Sequence, residues 1–338
     1  MDSLTHIAIG AIIGDAIAGK KLGKKGMAWG VFANSIPDFD FIASLWLTMD
    51  KNLLAHRGFT HSILFMLLLA PLLSWLAYKW HRSTGINYAH WILFFAIQLS
   101  CHMLIDTFNN YGVGLLEPFH HGRFSFNTIY VFDPFFTIIV VLAAVMLLLR
   151  RSSDRRRKFW HKFGIIAPMI YLAYCSYNKI VVDAEVRSIM EKEKINYNKY
   201  FTTPTPLNSW LWYVVAASDS GLYSGYRSVF DSKDTIQFTY FPKNDHLLST
   251  VATNEEKRSL NNLKRFSQGF YTIQNWNDTL VFNDLRFGQI VGWHDPNEKF
   301  VFHYFIQHKG NLTAVQRGRF ARWNRETLNA LVKRIKGN

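Results

Sequence analysis

The sequence predicts a multi-pass α-helical membrane domain followed by a soluble α+β domain. Three observations carry that expectation. Residues 1–182 hold long apolar runs separated by short basic segments, whereas residues 183–338 alternate apolar and polar positions. The mean hydropathy of −0.01 therefore averages two unlike halves. Across 338 residues, 49% are apolar and 16% aromatic but only 18% charged, which excludes a disordered chain, a coiled coil or a purely soluble enzyme. Cys101 and Cys175 both sit inside apolar runs, so neither a disulfide framework nor a Cys-based zinc site is expected.

The elements follow in chain order. Residues 7–18 and 27–36 are too short to cross about 30 Å of hydrocarbon, which needs about 20 helical residues. They read as two short helices or a re-entrant hairpin packed against protein. No basic segment precedes residues 7–18, so a cleavable signal peptide is not expected. Residues 63–78 are slightly short but end in Lys79, Trp80, His81 and Arg82, an interfacial signature. Residues 88–105 and 163–182 are further spans. The strongest is 129–149, with Asp133-Pro134 as N-cap and first helical turn.

Beyond residue 182, DAEVRSIMEKEKIN predicts a charged helix, and TPTPLNSW (Thr203–Trp210) is a Pro-rich break. The expected domains are thus 1–182, a helical linker 183–203, and an α+β domain 204–338. Residues 210–216, 223–230, 236–241, 279–282 and 300–307 predict antiparallel strands; 246–266 and 326–335 predict helices. Asp284 and Arg286 read as a turn with a surface ion pair.

Net charge is +14, of which residues 1–182 carry +8 and residues 183–338 carry +6. In the first half the basic residues cluster between apolar runs, as membrane-flanking charge does, and in the second they scatter. Membrane lipids are therefore expected partners and nucleic acid is not. Alternating the spans puts 13 Lys and Arg on one side of the membrane and 3 (Lys51, Arg57 and Arg123) on the other. The rich side is cytoplasmic, so the C-terminal half is expected to face outward.

Acidic and histidine residues are costly at membrane depth and mark function. Here they gather on the basic-poor side. Asp2, Thr5 and His6 open the first run, and Asp38 and Asp40 follow Pro37. His56 and His61 lie in HRGFTHS; His102 and Asp106 share one face of a helix at i, i+4. Four His and four Asp from separate segments thus meet one membrane face. That is the ligand chemistry of zinc, manganese or iron, with room for one ion or two. Each piece also has a plainer use: Asp2 as a helix cap, Asp38 and Asp40 in a turn, His61 and His102 as satisfied interior residues. His120 and His121, in EPFHHGRFSFN, are candidate substrate contacts; His246, His294, His303 and His308 lack ligand spacing. No GxSxG elbow, P-loop, dinucleotide fingerprint or HExxH is present.

These motifs resemble the family of inner-membrane-associated metal-dependent hydrolases of the YdjM/YbcI type. The matching stretches are Asp2-Ser3-Leu4-Thr5-His6, Pro37-Asp38-Phe39-Asp40, the block His56–Ser62, and His102 to Asp106. The continuations DTFNNYGVGLLEPF and RFSFNTIYVFDP are similar to its bacterial branch with a C-terminal extension. The resemblance implies a bacterial inner (plasma) membrane protein. It also implies a divalent metal, most simply zinc, on His6, Asp38, His61, His102 and Asp106, with Asp40 and His56 in support. A more distant likeness, with Thr5-His6 and Gly10, is to zinc-dependent phospholipase C and nuclease P1-like enzymes, whose N-terminal Trp ligand and later HxxxE are not evident in residues 1–182.

Two functions follow. The first is a hydrolase at the outer membrane face, in which metal-activated water attacks a phosphoester of a lipid or envelope substrate. Arg57 then neutralises oxyanion charge, Asp40 acts as general base, and His56 assists. The alternative is a non-catalytic membrane protein with a structural metal site and a binding C-terminal domain. Ion transport fits less well, because the polar residues sit at span ends rather than at the midplane.

Overall fold

The computed structural model describes residues 1–250, 253–277, 279–306, 313–314 and 322–337. Residues 251–252 of the expected helix 246–266, Gln307 of the expected strand 300–307, and His308 lie outside the described residues. The chain forms two compact units: Met1–Ile42, Ala55–Ser176 and Pro206–Asn208 make the first, and Ala43–Leu54, Tyr177–Thr205 and Ser209–Asn338 the second.

The first unit is helical. α1 (Ser3–Leu22) is 20 residues long, because Asp2 caps it and its polar flanks join the helix. Gly23, at φ +58°, turns the chain into α2 (Lys24–Ser35), a conformation that favours glycine. The two helices lie backbone to backbone. A Cβ on Gly30 would sit 2.0 Å from the Gly10 carbonyl oxygen, and one on Gly14 would sit 2.4 Å from that of Gly26. This glycine stripe is what turns two short apolar runs into one tightly packed hairpin.

A 3₁₀ stretch (Pro37–Leu45) follows. Ser62 caps α4 (Ile63–Trp80), and Asn87 caps α5 (Tyr88–Asp106). α6 (Pro134–Leu149) corrects the expectation of a long span over 129–149. Asp133 accepts the amides of Phe135 and Phe136, which starts the helix there and leaves only 16 residues. α7 (Arg157–Lys192) runs 36 residues, through the charged segment that the sequence assigns to a linker. Among the described residues, α4, α5 and α7 are long and apolar enough to cross a membrane. One apolar cluster joins Ile9, Ile12 and Ala8 of α1 to Phe136, Val140 and Ala143 of α6. A second joins Ala70, Leu73 and Ala77 of α4 to Trp91, Phe94 and Phe95 of α5.

The second unit is α+β, with two four-stranded antiparallel sheets. The first sheet is a meander of β1 (Lys199–Pro204), β2 (Leu211–Ala217), β3 (Gly221–Ser228) and β4 (Thr239–Pro242). The second holds β5 (Tyr271–Trp276), β6 (Thr279–Gln289), β7 (Phe300–Ile306) and β8 (Thr313–Ala314). Every residue of β2 is buried, which its continuous apolar run reflects. Trp212, Val214 and Ala216 pack with Val182 and Val186 of α7; Tyr213, Val215 and Ala217 pack with Leu285 and Phe300 of the other sheet.

Three further α-helices are short. α3 (Met49–Ala55) is short, and its Asp50 accepts a 2.7 Å hydrogen bond from Asn262. α8 (Asn254–Phe266) begins at a Thr253–Glu256 capping box, later than the sequence suggests. α9 (Arg325–Ile335) lies where a helix is expected. β1, β5 and β8 have no counterpart in the sequence reading. The Asp284–Arg286 pair is corrected from a surface turn to the buried middle of β6, bonded at 2.6 Å, with the guanidinium over Phe266 and Phe287. Period-2 spacing sends both side chains to the same face, where they satisfy each other.

Candidate metal centre

Three elements of the helical unit bring four polar side chains together. Pro37 opens the 3₁₀ turn that carries Asp38, and a second 3₁₀ turn (Phe59–His61) carries His61. The last turn of α5 carries His102 and Asp106. One donor atom from each of these four residues lies within 4.8 Å of every other. His61 Nε2 and His102 Nε2 are 3.1 Å apart. Asp38 Oδ1 is 3.6 Å from both, and Asp106 Oδ2 lies 3.5 and 3.6 Å from them.

The protons show what this arrangement needs. His102 Nδ1 is 2.6 Å from the Asn34 carbonyl oxygen, an obligate acceptor, so the neutral ring carries its proton there and Nε2 is a lone pair. Thr60 Oγ1 donates to Asp40 and thereby accepts from His61 Nδ1 at 3.0 Å, which leaves a second bare Nε2. The two lone pairs face each other and two carboxylates, and the buried Asp106 Oδ2 has only the Arg57 guanidinium beside it, as an ion pair at 3.3 Å. Four electron-rich atoms converge without a proton among them. A divalent cation satisfies all four, and two imidazoles with two carboxylates suit zinc, manganese or iron.

The electrostatics agree. Burial pushes the His61 imidazole down to about 3, so it stays neutral and able to ligate at ordinary pH. The sign of the pH dependence follows. The unfolded chain takes up a proton at His61 near 6.5 that the folded state excludes down to about 3. Metal-free protein in detergent is therefore expected to keep its full stability above about pH 6.5 and lose it progressively as pH falls toward 3. Thermal melts with chelator across that range check this; a flat midpoint would contradict it.

Around the four donors stands a supporting layer. His6 stacks on His102 with ring centroids 3.8 Å apart, and its Nε2 is 3.2 Å from Asp106 Oδ1, to which the Met1 amine also donates. Arg57, its backbone at φ +56°, is pinned by Asp40, which accepts its amide at 2.7 Å. Its guanidinium spans Asp106 (3.3 Å), Asn109 (2.8 Å) and the Met1 carbonyl (3.2 Å). Asp40 Oδ1 meets His56 Nδ1 at 2.9 Å, and that ring is partly exposed. Asp2 caps α1 through Thr5 and also accepts from Thr137. His121 pairs with Glu117 at the surface.

Asn34, Gln98, Thr60 and Asn109 belong to this layer and escaped the sequence reading. Asn34 Oδ1 is 3.3 Å from His6 Nδ1, while its amide donates to Gln98; Gln98 in turn donates to the Gly10 carbonyl. A signal existed, because Gln98, His102 and Asp106 recur at i, i+4 and i+8 on α5. Asn34→Leu is expected to weaken metal affinity by about tenfold, the low end of the range for outer-shell partners, because it frees the His6 ring. Metal titration against a competing chelator measures it, and unchanged affinity would remove Asn34 from the site.

Comparison with known proteins gives a consistent result. Residues 1–180 match the family model described as YdjM inner membrane protein. The chain is similar to the inner membrane protein YbcI of Escherichia coli (strain K12), at 31% identity over 123 residues, covering 36% of this chain and 69% of YbcI. It is also similar to the uncharacterized protein YfhP of Bacillus subtilis (strain 168), at 29% identity over 152 residues. That match covers 41% of this chain and 43% of YfhP, less than half of the relative's length. No solved structure matches the chain.

Proposed function

Because the chain belongs to the YdjM inner membrane protein family and four imidazole and carboxylate donors converge in its helical unit, we propose that it is a metal-dependent hydrolase of the bacterial inner membrane. Its substrate is a phosphoester of a lipid or envelope molecule, reached from the outer face. The observation that carries this reading is the proton-free meeting of Asp38, His61, His102 and Asp106. The basic residues at the helix ends away from the site support an outward-facing site and, with the 16-residue α6 crossing as a short span, a periplasmic C-terminal unit.

A zinc ion held there would supply Lewis acidity and bring the pKa of water toward about 7. The chain's own residues do the rest. Arg57 orients Asp106 and sets a buried positive charge beside it, which offsets negative charge developing on a phosphoryl group. Asp40 fixes the His56 ring through Nδ1, so the partly exposed imidazole can take and return a proton at Nε2.

The test is metal analysis of detergent-purified protein alongside hydrolysis of phosphodiester and phospholipid substrates. About one or two ions per chain with turnover is expected. His56→Gln should retain the metal and lose about 10²-fold or more in rate, the low end of acid–base contributions. A second reading has its own observation: His61, His102 and Asp106 are fully buried, as in a closed structural site. Metal without turnover on any substrate, and no effect of His56→Gln, would favour that reading and leave binding to the C-terminal unit.

A further inference from the structure

Of the four donors only Asp38 reaches the surface, at 21% side-chain exposure, so the centre opens beside it. The residues around that opening are unusual for loops. Phe39 and Phe41 flank Asp40 on the same 3₁₀ turn and are exposed, Phe41 at 62%. Phe59 is exposed two residues before His61. Phe119 (83%), Phe124 and Phe126 (56%) are exposed in the segment between α5 and α6. That segment is bonded to the metal-binding block: Gly114 N donates to the Arg57 carbonyl, Ile63 N to the Leu115 carbonyl, and Arg123 to the His56 carbonyl. All six phenylalanines therefore belong to loops at the site end of the helical unit.

In water these six rings would form a costly apolar surface. The membrane beside them is what covers them. α4, one of the three helices among the described residues able to cross a membrane, begins at Ile63 two residues after His61, and its own exposed apolar face runs on from the loops. Aromatic rings at span ends settle at the boundary between hydrocarbon and headgroups. We infer that the six phenylalanines seat the mouth of the metal centre in the outer membrane interface, and that the substrate is a bilayer-resident amphiphile whose phosphoester lies at headgroup depth. The seating stands on the exposed rings alone; the substrate class rests on the hydrolase reading. A water-soluble phosphodiester of the same headgroup would meet the centre only by leaving water for that interface.

Two measurements on the full chain test the two halves separately. Phe41→Cys and Phe119→Cys, each carrying an environment-sensitive fluorophore in nanodiscs, report depth. Unsubstituted protein taken through the same labelling corrects for Cys101 and Cys175. Strong quenching by lipid brominated near the top of the acyl chain, with blue-shifted emission, is expected. Water-like emission without quenching overturns the seating. The second measurement compares a Phe41→Ser/Phe119→Ser double variant with the parent on a bilayer phospholipid and on a soluble short-chain phosphodiester. Both rings are exposed, so metal content and the soluble rate should stay unchanged while the bilayer rate falls about tenfold or more. Equal loss on both substrates, or none on the bilayer lipid, overturns the substrate class. Metal-loaded parent that cleaves neither overturns the hydrolase reading itself, an outcome that the depth measurement does not share.

Discussion

His102→Ala is expected to strip the divalent metal from the purified protein, lowering affinity well beyond the ~10²-fold reached by losing an outer-shell partner. His102 supplies one of four donors, and its ring also holds the neighbours in order. It stacks on His6, faces His61 Nε2 at 3.1 Å, and ties the end of α5 to the Asn34 carbonyl of α2. Removing it leaves three donors, a buried cavity and a carbonyl without its partner. Asp106→Asn is the companion variant, since it keeps the shape and removes the charge that would hold a cation. Mass-spectrometric metal counting on both, with circular dichroism to show retained helix, makes the comparison. Full metal content in a folded His102→Ala protein would mean that the ion sits elsewhere and that the four-donor centre is a polar packing device.

Gly30→Ala is expected to destabilise the protein by about 3 kcal/mol or more, the upper end of overpacking costs. An ordinary helical Gly→Ala change stabilises by about 1 kcal/mol, so the sign itself is diagnostic. The reason is contact between backbones: the new methyl would lie 2.0 Å from the Gly10 carbonyl and 2.7 Å from Gln98 Nε2. Neither helix can yield cheaply. α1 carries His6, and α2 carries Asn34 and leads into Asp38, so prising them apart also spreads the supporting layer of the centre. A thermal melt in detergent with a parallel metal titration would register both losses. A variant as stable as the parent would show that the hairpin is looser than this packing requires.

Several features were legible in the sequence. The division into an apolar helical half and an α+β half follows from hydropathy, because a helix in lipid must be apolar around its whole circumference and a strand in a sheet need not be. The chemistry of the site was legible too, since His and Asp are rare enough near apolar runs that their clustering carries information. Helix starts could be read where a cap is a local matter, as at Asp133-Pro134. The same cap, however, shortened α6 to 16 residues, a consequence of amide hydrogen bonds that hydropathy does not register.

Other features depended on contacts between residues distant in the chain. The sequence named His6, Asp38, His61, His102 and Asp106 as ligands with Asp40 and His56 in support; the distances between them come from the fold. Asp38, His61, His102 and Asp106 point donors at one spot, Asp40 and His56 pair beside it, and Asp2 caps a helix. Asn34 and Gln98 gained their roles only when the glycine stripe brought α1 against α2. Asp284 and Arg286 became a buried pair only because β6 continues past the expected strand end. Residue type, spacing and hydropathy are properties of the chain, so the sequence by itself determined which chemistry this protein carries and which half carries it. Which atoms meet, which are buried and where each imidazole keeps its proton depend on partners a hundred or more residues away in several cases, and those the tertiary structure alone decided.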